Sequence, residues 1–359
     1  MSSYKKKHVL VAVLDWGLGH ATRSMPIIQC LLAHDCNVSI ASNGLSLVLL
    51  KQEFPELVFH ELPAHQITYP SHRFFLWHLF WQAPKIMSAI RKERKQIDQL
   101  LHDHHFSAII SDNRYGCYSD QVLSVLITHQ LNVQLPPSLS WARNFINYFN
   151  HHLIKKFDRC WVPDFPAGFT GKLSESKNLN VKFVGMLSRF AEADVFPESY
   201  RLVGLVSGPE PQRDIFEKLL IKEFTALNQP GLIVRGIPNQ SSEEIRQGCI
   251  SLLSHAPANQ LKEIISTADI IISRSGYSTI MDLYALRKKR VIFVPTPGQT
   301  EQEYLAGELE RRTIAYTQAQ DKFNLAEAIA QSKQYHGFDA STHQPNLLNE
   351  AVEDLLHQI

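Results

Sequence analysis

Two short apolar runs that bracket a helix-length segment constrain the fold of this chain more than any other feature. The runs cover residues 270–272 and 291–294, and the segment between them opens with Ser275 and Gly276. Short apolar runs separated by about one helix are typical of buried parallel strands joined by a crossover helix. Because a helix N-terminus exposes unpaired backbone N–H groups, the start of this helix is an expected anion site.

Polar side chains surround the start of the same helix. Ser278 and Thr279 lie in its first turn and Asp282 one turn further along, so all three can face the strand ends. A proline–glycine turn after the second run brings Gln302 and Glu303 to the same rim. A ligand with a phosphate, a diol and a polar head group suits this set, and a nucleotide sugar has all three.

A second strand–turn–helix pattern begins the chain. Residues 8–14 form a continuous apolar run, and residues 38–41 form the next one. The turn after the first run supplies four candidate site residues, Gly17, Gly19, His20 and Arg23. Strand, glycine turn, helix and strand predict a βαβ unit at the start of a doubly wound parallel sheet, with ligands at the carboxyl ends of the strands.

Two further strands predict partners for His20 at that edge. Asp112 ends one apolar run and His129 follows another. Because neighbouring parallel strands end at the same edge, we expect Asp112 to orient the His20 imidazole and raise its basicity. The alternative is that Asp112 only caps the helix that follows it.

Two motifs resemble one known family. The stretch 274–282 resembles the RSG-x-x-T-x-x-E pattern of the MurG-like branch (family 28) of the GT-B UDP-sugar glycosyltransferases, with Asp282 in place of the glutamate. The GxGHxxR turn at 17–23 resembles the N-terminal loop of the same superfamily. This resemblance implies an α/β chain with the GT-B fold, in which two Rossmann-like doubly wound parallel-sheet domains face each other across a cleft.

The resemblance also assigns site residues in the second half of the chain. In the family the acid of the motif binds the ribose diol, which is Asp282 here. Two glutamines read the donor sugar, and their positions fall on Gln302 and Glu303, of which only the first is kept.

Donor phosphate contacts follow from two further matches. A G-x-x-x-R segment of the family ends on Arg189, and a glycine–serine turn falls on Ser207 and Gly208. Glu210 departs from that turn and would repel a phosphate, so Arg213 is expected to supply compensating charge.

These matches predict two domains. Residues 1–192 form an N-terminal acceptor domain and residues 193–359 a C-terminal donor domain, with a last helix at about 346–358 that packs back on the first domain. A length of 359 residues is sufficient for two hydrophobic cores.

The predicted function is transfer of a sugar, hexosyl or N-acetylhexosaminyl, from a UDP-linked donor to an unknown acceptor with inversion. His20 would be the base and Asp112 its partner. No DxD-type metal site is evident, so neither a metal nor another cofactor is expected. Alternatives are a nucleotide-sugar hydrolase of the same fold and an inactive nucleotide-sugar-binding relative.

Charge and cysteine content indicate which classes of partner and which cellular compartment to expect. The net charge is +1, and residues 1–195 carry 20 Lys and Arg against 15 Asp and Glu, an excess too small for a nucleic-acid binder. Five cysteines without CxxC spacing predict neither a disulfide framework nor a zinc site, so a cytoplasmic location is expected. No run reaches the roughly 18 apolar residues that a membrane span needs. Composition does not indicate the oligomeric state.

Aromatic residues stand beside basic ones in two stretches, 69–95 and 141–156. One interpretation is a patch that binds the inner face of a membrane and a lipid-linked acceptor. The other is a pair of helices that turn their aromatic residues to the core and their basic residues to solvent.

Overall fold

The computed structural model describes residues 6–64, 75–176, 178–190, 200–208, 210–237, 243–339 and 346–359. The chain divides into two compact units. The first is Met1–Leu187 together with Gln344–Ile359, and the second is Ser188–His343. Each unit contains one seven-stranded sheet. The expected boundary at 192/193 falls in residues 191–199, which lie outside the described residues.

The sheet of the first unit is entirely parallel. Its strands are β1 His8–Val13, β2 Asn37–Ser42, β3 Val58–Glu61, β4 Ala108–Asp112, β5 Leu123–Ile127, β6 Arg159–Val162 and β7 Val181–Phe183. Their order is β3-β2-β1-β4-β5-β6-β7. The chain builds outward from β1 in one direction and then returns to add β4 on the other side. The topological switch point, where open α/β sheets bind ligands, therefore lies between β1 and β4.

Helices cover both faces of this sheet, so the residues of its central strands are apolar at nearly every position. Val9, Leu10, Val11 and Val13 in β1 have no exposed surface. The covering helices of the first unit are α1 Leu18–Ala33, α2 Gly44–Glu53, α3 Phe75–Asp103 and α4 Arg143–Ile154. The predicted strands at 8–14 and 38–41 are confirmed.

The turn after β1 is shorter than the sequence predicted. Gly17 has φ +74°, a left-handed conformation that favours glycine, and it is the residue directly before the helix. Helix α1 therefore begins at Leu18, so Gly19, His20 and Arg23 are helical residues rather than loop residues.

The sheet of the second unit is parallel except at one edge. Its strands are β8 Tyr200–Leu205, β9 Gly231–Val234, β10 Glu244–Gln247, β11 Ile250–Leu253, β12 Ala268–Ser273, β13 Val291–Phe293 and β14 Tyr316–Thr317. The order is β10-β11-β9-β8-β12-β13-β14, and β10 pairs with β11 antiparallel. Here the switch point lies between β8 and β12, so the strand pattern at 270–272 and 291–294 is confirmed at the centre of the sheet.

Five helices pack on this second sheet. They are α5 Gln212–Leu227, α6 Ala258–Thr267, α7 Tyr277–Ala285, α8 Thr300–Arg311 and α9 Leu325–Ser332. Phe216, Leu220 and Phe224 of α5 are fully buried and form one face of the core. Their i, i+4 and i+8 spacing places all three on the side of α5 that meets the strands.

The last helix, α10 Leu347–Leu356, belongs to the first unit. Its apolar side, which includes Val352 and Leu355, is buried, and the helix contacts α1. Asp354 of α10 forms an ion pair with Lys182 of β7. No helix in the described part of the chain combines the length and the apolar character that crossing a bilayer requires.

Candidate active site

One buried carboxylate organises the switch point of the first sheet. Asp112, at the end of β4, has no exposed surface and lies opposite Val13 of β1. His20 Nδ1 lies 2.9 Å from Asp112 Oδ1. Arg23 Nε donates to Asp112 Oδ2 at 2.8 Å, and the Ser24 hydroxyl donates to the same oxygen at 3.0 Å. A second bond joins Arg23 Nη2 to Asp112 Oδ1.

The spacing of residues along α1 explains this convergence. His20, Arg23 and Ser24 occupy positions i, i+3 and i+4, which share one face of a helix. Since α1 starts immediately after Gly17, that face meets the carboxyl ends of β1 and β4. The structure therefore brings His20 and Asp112 together. The hydrogen bond from Ser24 to Asp112 was not predicted, although Ser24 stands four positions after His20 and so shares its face of the helix.

The charges around Asp112 determine the protonation of His20. Burial opposes ionisation of Asp112, but Arg23 and His20 hold the pKa of this carboxyl well below its ordinary 3.8. Burial and the Arg23 charge lower the pKa of His20 below 6.5, although Asp112 acts in the opposite direction. The ionised carboxylate can only accept, so Nδ1 of the neutral imidazole carries the hydrogen and Nε2 carries the lone pair. This arrangement can accept a proton at neutral pH.

Arg23 and His129 occupy places different from those expected of residues at an acceptor loop. Arg23 is only 3% exposed and its guanidinium is bound to Asp112. His129 is 6% exposed, and its Nδ1 lies 3.3 Å from Arg23 Nη1. Arg23 therefore binds Asp112 directly, and His129 contacts Arg23 on its buried side. The His20 side chain, in contrast, keeps 14% of its surface exposed.

A second buried ion pair supports this edge and was not predicted. Arg114 Nε donates to Glu93 Oε1 of α3 at 2.6 Å, and neither side chain has exposed surface. Arg114 also donates to the Val13 carbonyl at 3.1 Å and to Asn43 Oδ1 at 2.9 Å. Since removing one partner of a buried pair leaves an uncompensated charge, this network fixes the ends of β1 and β4.

Small residues line the switch point of the second sheet. Ser207 and Gly208 follow β8 and are exposed, and Gly208 has φ +102°. Ser275 and Gly276 follow the neighbouring β12, and Gly276 is the residue that precedes α7. Ser278 and Thr279 are half-buried in the first turn of α7. Gly276, at the N-cap of α7, has no side chain that could cap the helix, and the N-terminal anion site stays a prediction.

Asp282 of α7 lies in a buried group with two residues from the start of the unit. The Ser188 hydroxyl donates to Asp282 Oδ1 at 2.7 Å. Arg189 Nε lies 3.5 Å from Asp282 Oδ2, an ion-pair distance too long for a good hydrogen bond. Within the described residues Arg189 Nε has no hydrogen-bond partner. Burial raises the pKa of Asp282, while Arg189 and Ser188 act in the opposite direction.

The side chains of Gln302 and Glu303 are engaged with the turn that precedes α8. Gln302 Oε1 accepts from the Thr296 backbone N–H at 2.9 Å, and its amide donates to Gln299 at 2.6 Å. Glu303 Oε1 accepts from the Gly298 N–H at 2.9 Å. Both side chains therefore stabilise this turn through hydrogen bonds to its backbone.

Arg213 is surrounded by carboxylates, one of which is Glu210, the acid whose charge it was expected to compensate. Its nitrogens donate to Glu210 at 2.5 Å, to Asp214 at 2.6 Å and to Glu217 at 2.7 Å. Glu217 also binds Arg235 at 2.7 Å. Three acids around two arginines leave no positive excess for a phosphate.

Arg274, which precedes α7 by three positions in the chain, is a second arginine of this unit and is only 1% exposed. Its guanidinium donates to the carbonyls of Val294 and Pro295 at 2.9 and 3.2 Å and to the side chain of Gln320 at 2.5 Å. It also lies 4.1 Å from the centre of the Phe216 ring. Burial lowers the pKa of Arg274 to about 9. The sequence motif named this residue without indicating that it would be buried.

Comparisons with known proteins bear on the class of this protein. Residues 250–358 match the family model described as the glycosyltransferase family 28 C-terminal domain. No curated protein sequence matches the chain.

Several solved glycosyltransferases have a similar structure. The glycotransferase of kitacinnamycin is 13% identical with a TM-score of 0.64, covering 99% of this chain and 95% of that one. The spinosyn rhamnosyltransferase SpnG, complexed with thymidine diphosphate, is 14% identical with a TM-score of 0.63, covering 98% and 96%. MurG of Acinetobacter baumannii is 15% identical with a TM-score of 0.56, covering 99% and 100%.

These likenesses define the class. The fold is the GT-B fold of the glycosyltransferases, as predicted, with one seven-stranded sheet in each of its two units. Within that fold, roughly the last third of the chain matches the model of the family 28 glycosyltransferase C-terminal domain.

Proposed function

We propose that this protein is a glycosyltransferase that moves a sugar from a nucleoside diphosphate sugar to an acceptor hydroxyl with inversion. The observation that carries the proposal is the contact of His20 with Asp112 at the switch point of the first sheet. A neutral imidazole oriented by an ionised carboxylate is a group suited to accept a hydroxyl proton. UDP is the proposed nucleotide because of the family match in the second unit.

The proposed step is a single displacement. His20 Nε2 takes the proton of the acceptor hydroxyl as its oxygen forms a bond to the anomeric carbon. The bond from that carbon to the diphosphate breaks on the opposite side, and its electron pair leaves with the nucleoside diphosphate. Asp112 then stabilises the imidazolium that forms, and it can do so because Arg23 keeps it ionised.

The second unit supplies the donor contacts in this proposal. The uncapped N-terminus of α7, with Ser275 and Gly276, would accept a phosphate group. Arg189 has a buried nitrogen without a hydrogen-bond partner in the described part of the unit, and it would offset the charge that grows on the leaving diphosphate. Asp282 would bind the ribose diol.

Donor-sugar contacts would come from the turn before α8. Because Gln302 and Glu303 hold the N–H groups of this turn, they would set its shape, and its remaining polar groups would face the sugar. Whether a hexosyl or an N-acetylhexosaminyl group is transferred depends on those contacts.

Release of UDP from UDP-sugars tests the proposal. We expect UDP-glucose, UDP-galactose or UDP-N-acetylglucosamine to release UDP only when an acceptor is present. Release without acceptor would assign the protein as a hydrolase that activates water. Tight UDP binding with no release under either condition would contradict both and indicate an inactive binding protein.

The proposal includes no divalent metal. Arg189, Arg274 and the α7 N-terminus would provide the positive charge that a metal supplies in other transferases. We therefore expect UDP release to be unchanged when EDTA is added, and a loss that magnesium restores would contradict this part. The five cysteines are free thiols, which is consistent with a reducing cytoplasm.

A further inference from the structure

One buried titratable side chain at the carboxyl edge of the first sheet has no part in the proposed displacement. His129 follows the end of β5 by two positions and is 6% exposed. The acceptor hydroxyl would meet His20, whose side chain keeps more of its surface open to solvent. A histidine buried beside this site therefore needs a role other than contact with the substrate.

The contact of His129 with Arg23 determines which ring nitrogen carries its hydrogen. Arg23 Nη1 lies 3.3 Å from His129 Nδ1. A guanidinium group offers only N–H donors, so Nδ1 must supply the lone pair of this hydrogen bond. The imidazole of His129 is therefore neutral in this arrangement, with its hydrogen on Nε2. A second proton on Nδ1 would remove the bond and place two cations in contact.

The same guanidinium holds both oxygens of Asp112. Arg23 Nε donates to Oδ2 at 2.8 Å, and Nη2 donates to Oδ1, the oxygen that also binds His20 Nδ1. Because the guanidinium is planar and its donors have fixed directions, the position of Nη1 sets the orientation of the other two nitrogens. A hydrogen bond at Nη1 therefore acts on the carboxylate of Asp112 and, through it, on the ring of His20.

The carboxylate needs such an external constraint. The last torsion of an aspartate side chain has only a broad preference, so the rotamer alone does not fix the plane of the oxygens. Arg23 and Ser24 both come from α1, the helix that also carries His20. His129 is anchored outside that helix, after the neighbouring strand β5, so it ties the guanidinium to the sheet.

The backbone on both sides of His129 is fixed. The Thr128 N–H donates to the Trp161 carbonyl of β6 at 3.1 Å. On the other side, Asn150 Nδ2 of α4 donates to the carbonyls of Gln130 and Leu131 at 3.0 Å each. His129 is thus placed by two elements, β6 and α4, that make none of the hydrogen bonds to Asp112 described above.

Helix α4 makes these contacts with its inner side. Asn150 and Ile154 are buried, whereas Phe145 and Tyr148 are 70 and 75% exposed. Hydrogen bonds and Ile154 therefore hold α4 against the sheet. The interpretation that the stretch 141–156 turns its aromatic residues to the core is wrong.

We propose that His129 is a positioning residue for the base. As a neutral hydrogen-bond acceptor it fixes the guanidinium of Arg23, which fixes the Asp112 carboxylate in the orientation that keeps the hydrogen of His20 on Nδ1. Nε2 of His20 then retains the lone pair that accepts the proton. The consequence for turnover rests on the proposed transferase activity, whereas the consequence for the His20 ring does not.

Nitrogen NMR of the full-length protein labelled with 15N-histidine tests the ring assignments without any substrate. The chemical shift of each imidazole nitrogen reports whether it carries a hydrogen. At neutral pH we expect the hydrogen of His20 on Nδ1 and that of His129 on Nε2, with His20→Ala and His129→Asn identifying the two sets of signals. A doubly protonated His129 ring, or one with its hydrogen on Nδ1, would overturn the proposal.

Two variants of similar shape separate the acceptor atom from the packing. Leucine at position 129 has no acceptor, whereas the Oδ1 of asparagine stands close to the place of Nδ1. His129→Leu should lower kcat about tenfold, the effect of one hydrogen bond to a charged group, and change KM for the UDP-sugar less than about twofold. The His20 shifts should move toward the average of its two tautomers. His129→Asn should keep kcat within about threefold of the parent and leave the His20 shifts in place.

A matched control removes another histidine from the same sheet. His8, at the opposite end of β1, is half-buried and its Nε2 lies 2.9 Å from Ser39 Oγ. His8→Leu should leave kcat and the His20 shifts unchanged.

Every remaining outcome decides the question. A folded His129→Leu variant with the kcat and the His20 shifts of the parent would overturn the proposal. Equal losses in His129→Asn and His129→Leu would assign the effect to packing, and a raised KM with unchanged kcat would place His129 at the substrate. If His129→Leu does not fold, the ring assignments of the parent and the His129→Asn variant give the answer. A parent that releases no UDP but shows the expected shifts would remove the proposed activity and leave the role of His129 intact.

Discussion

Two buried carboxylates, one in each unit, show how surroundings assign different tasks to the same group. Asp112 is bound by Arg23, His20 and Ser24, and its pKa is held below the ordinary value. Asp282 has Ser188 at 2.7 Å and Arg189 only at 3.5 Å, and its pKa is raised. The first carboxylate is a permanent charge, while the second still has capacity to bind a ligand.

In the proposed mechanism this contrast separates a fixed group beside the base, Asp112, from a group that would adapt to a bound ligand, Asp282. Nearby cations outweigh the desolvation cost at Asp112, so its geometry does not depend on a ligand. At Asp282 the effect of desolvation exceeds that of Arg189 and Ser188, so the pKa is raised. A ligand that donates hydrogen bonds would stabilise the ionised form. Changes at the first site should therefore affect the rate and the stability of the fold, and changes at the second should affect affinity.

The largest expected effect is on the rate. His20→Ala should lower kcat by about two to four orders of magnitude because the base is lost. His34→Ala, near the end of the same helix, should leave kcat unchanged. Steady-state UDP release measures both, and a His20→Ala enzyme with near-normal kcat would remove His20 from this role.

The pH profile makes the same assignment by another route. The folded pKa of His20 lies below 6.5, so the imidazole is neutral above that value and gains a proton as the pH falls below the lowered pKa. We expect kcat/KM to hold through pH 6.5 and to fall only on the more acidic side. An acid limb above 6.5 would contradict the charge pattern around Asp112.

The next effect is on stability. Asp112→Asn leaves Arg23 buried without its partner and should cost about 3–5 kcal/mol of unfolding free energy. Asp120→Asn, whose carboxylate is 88% exposed, should cost less than about 1 kcal/mol. Because the folded pKa of Asp112 is lowered, its contribution is complete above about pH 3.8 and is lost as the pH falls further. Urea unfolding at pH 7 and at pH 3 measures both the free energy lost in each variant and its dependence on pH.

A smaller effect is expected on nucleotide affinity. Asp282→Ala should weaken UDP binding about tenfold, the size of one hydrogen bond to a charged group. The loss should be much smaller for 2′-deoxy-UDP, which lacks one hydroxyl of the diol. Calorimetry with both nucleotides measures the ratio, and an equal loss for the two would place the ribose elsewhere.

The smallest effect is expected at Arg213. Its three carboxylate partners leave no charge for a phosphate, so Arg213→Ala should change UDP affinity less than about threefold. Arg189→Ala should cost about tenfold or more, because its buried Nε has no other hydrogen-bond partner among the described residues. The reverse ranking would move the phosphate to the turn after β8.

The elements that the sequence predicted best are those in which burial alone determines structure. Strands β1 and β12 contain continuous apolar runs, and parallel sheets covered on both faces produce that pattern. The contact of His20 with Asp112 followed from the rule that neighbouring strand ends converge.

The partners of Arg213 are local and could have been predicted from the sequence, because Glu210 lies three positions before it and Asp214 and Glu217 one and four after it. Glu217 in particular stands at the i+4 position of α5, which a helix brings into contact. A glutamine or glutamate beside a turn can bind either a ligand or the backbone of the turn. The sequence alone could not show that Gln302 accepts from the backbone. Pairs such as Glu93 with Arg114 depend on tertiary structure alone.

Helix α10 gives the chain an unusual connectivity. Because its apolar side covers α1, the first unit needs residues from both termini, and the second unit is inserted between them in chain order. A fragment that stops at Leu187 would expose the part of α1 that α10 covers and would aggregate more readily than the full chain. A short flexible tether that replaces residues 188–343 would allow α10 to dock, so the unit that carries His20 could be prepared and titrated as a free-standing protein.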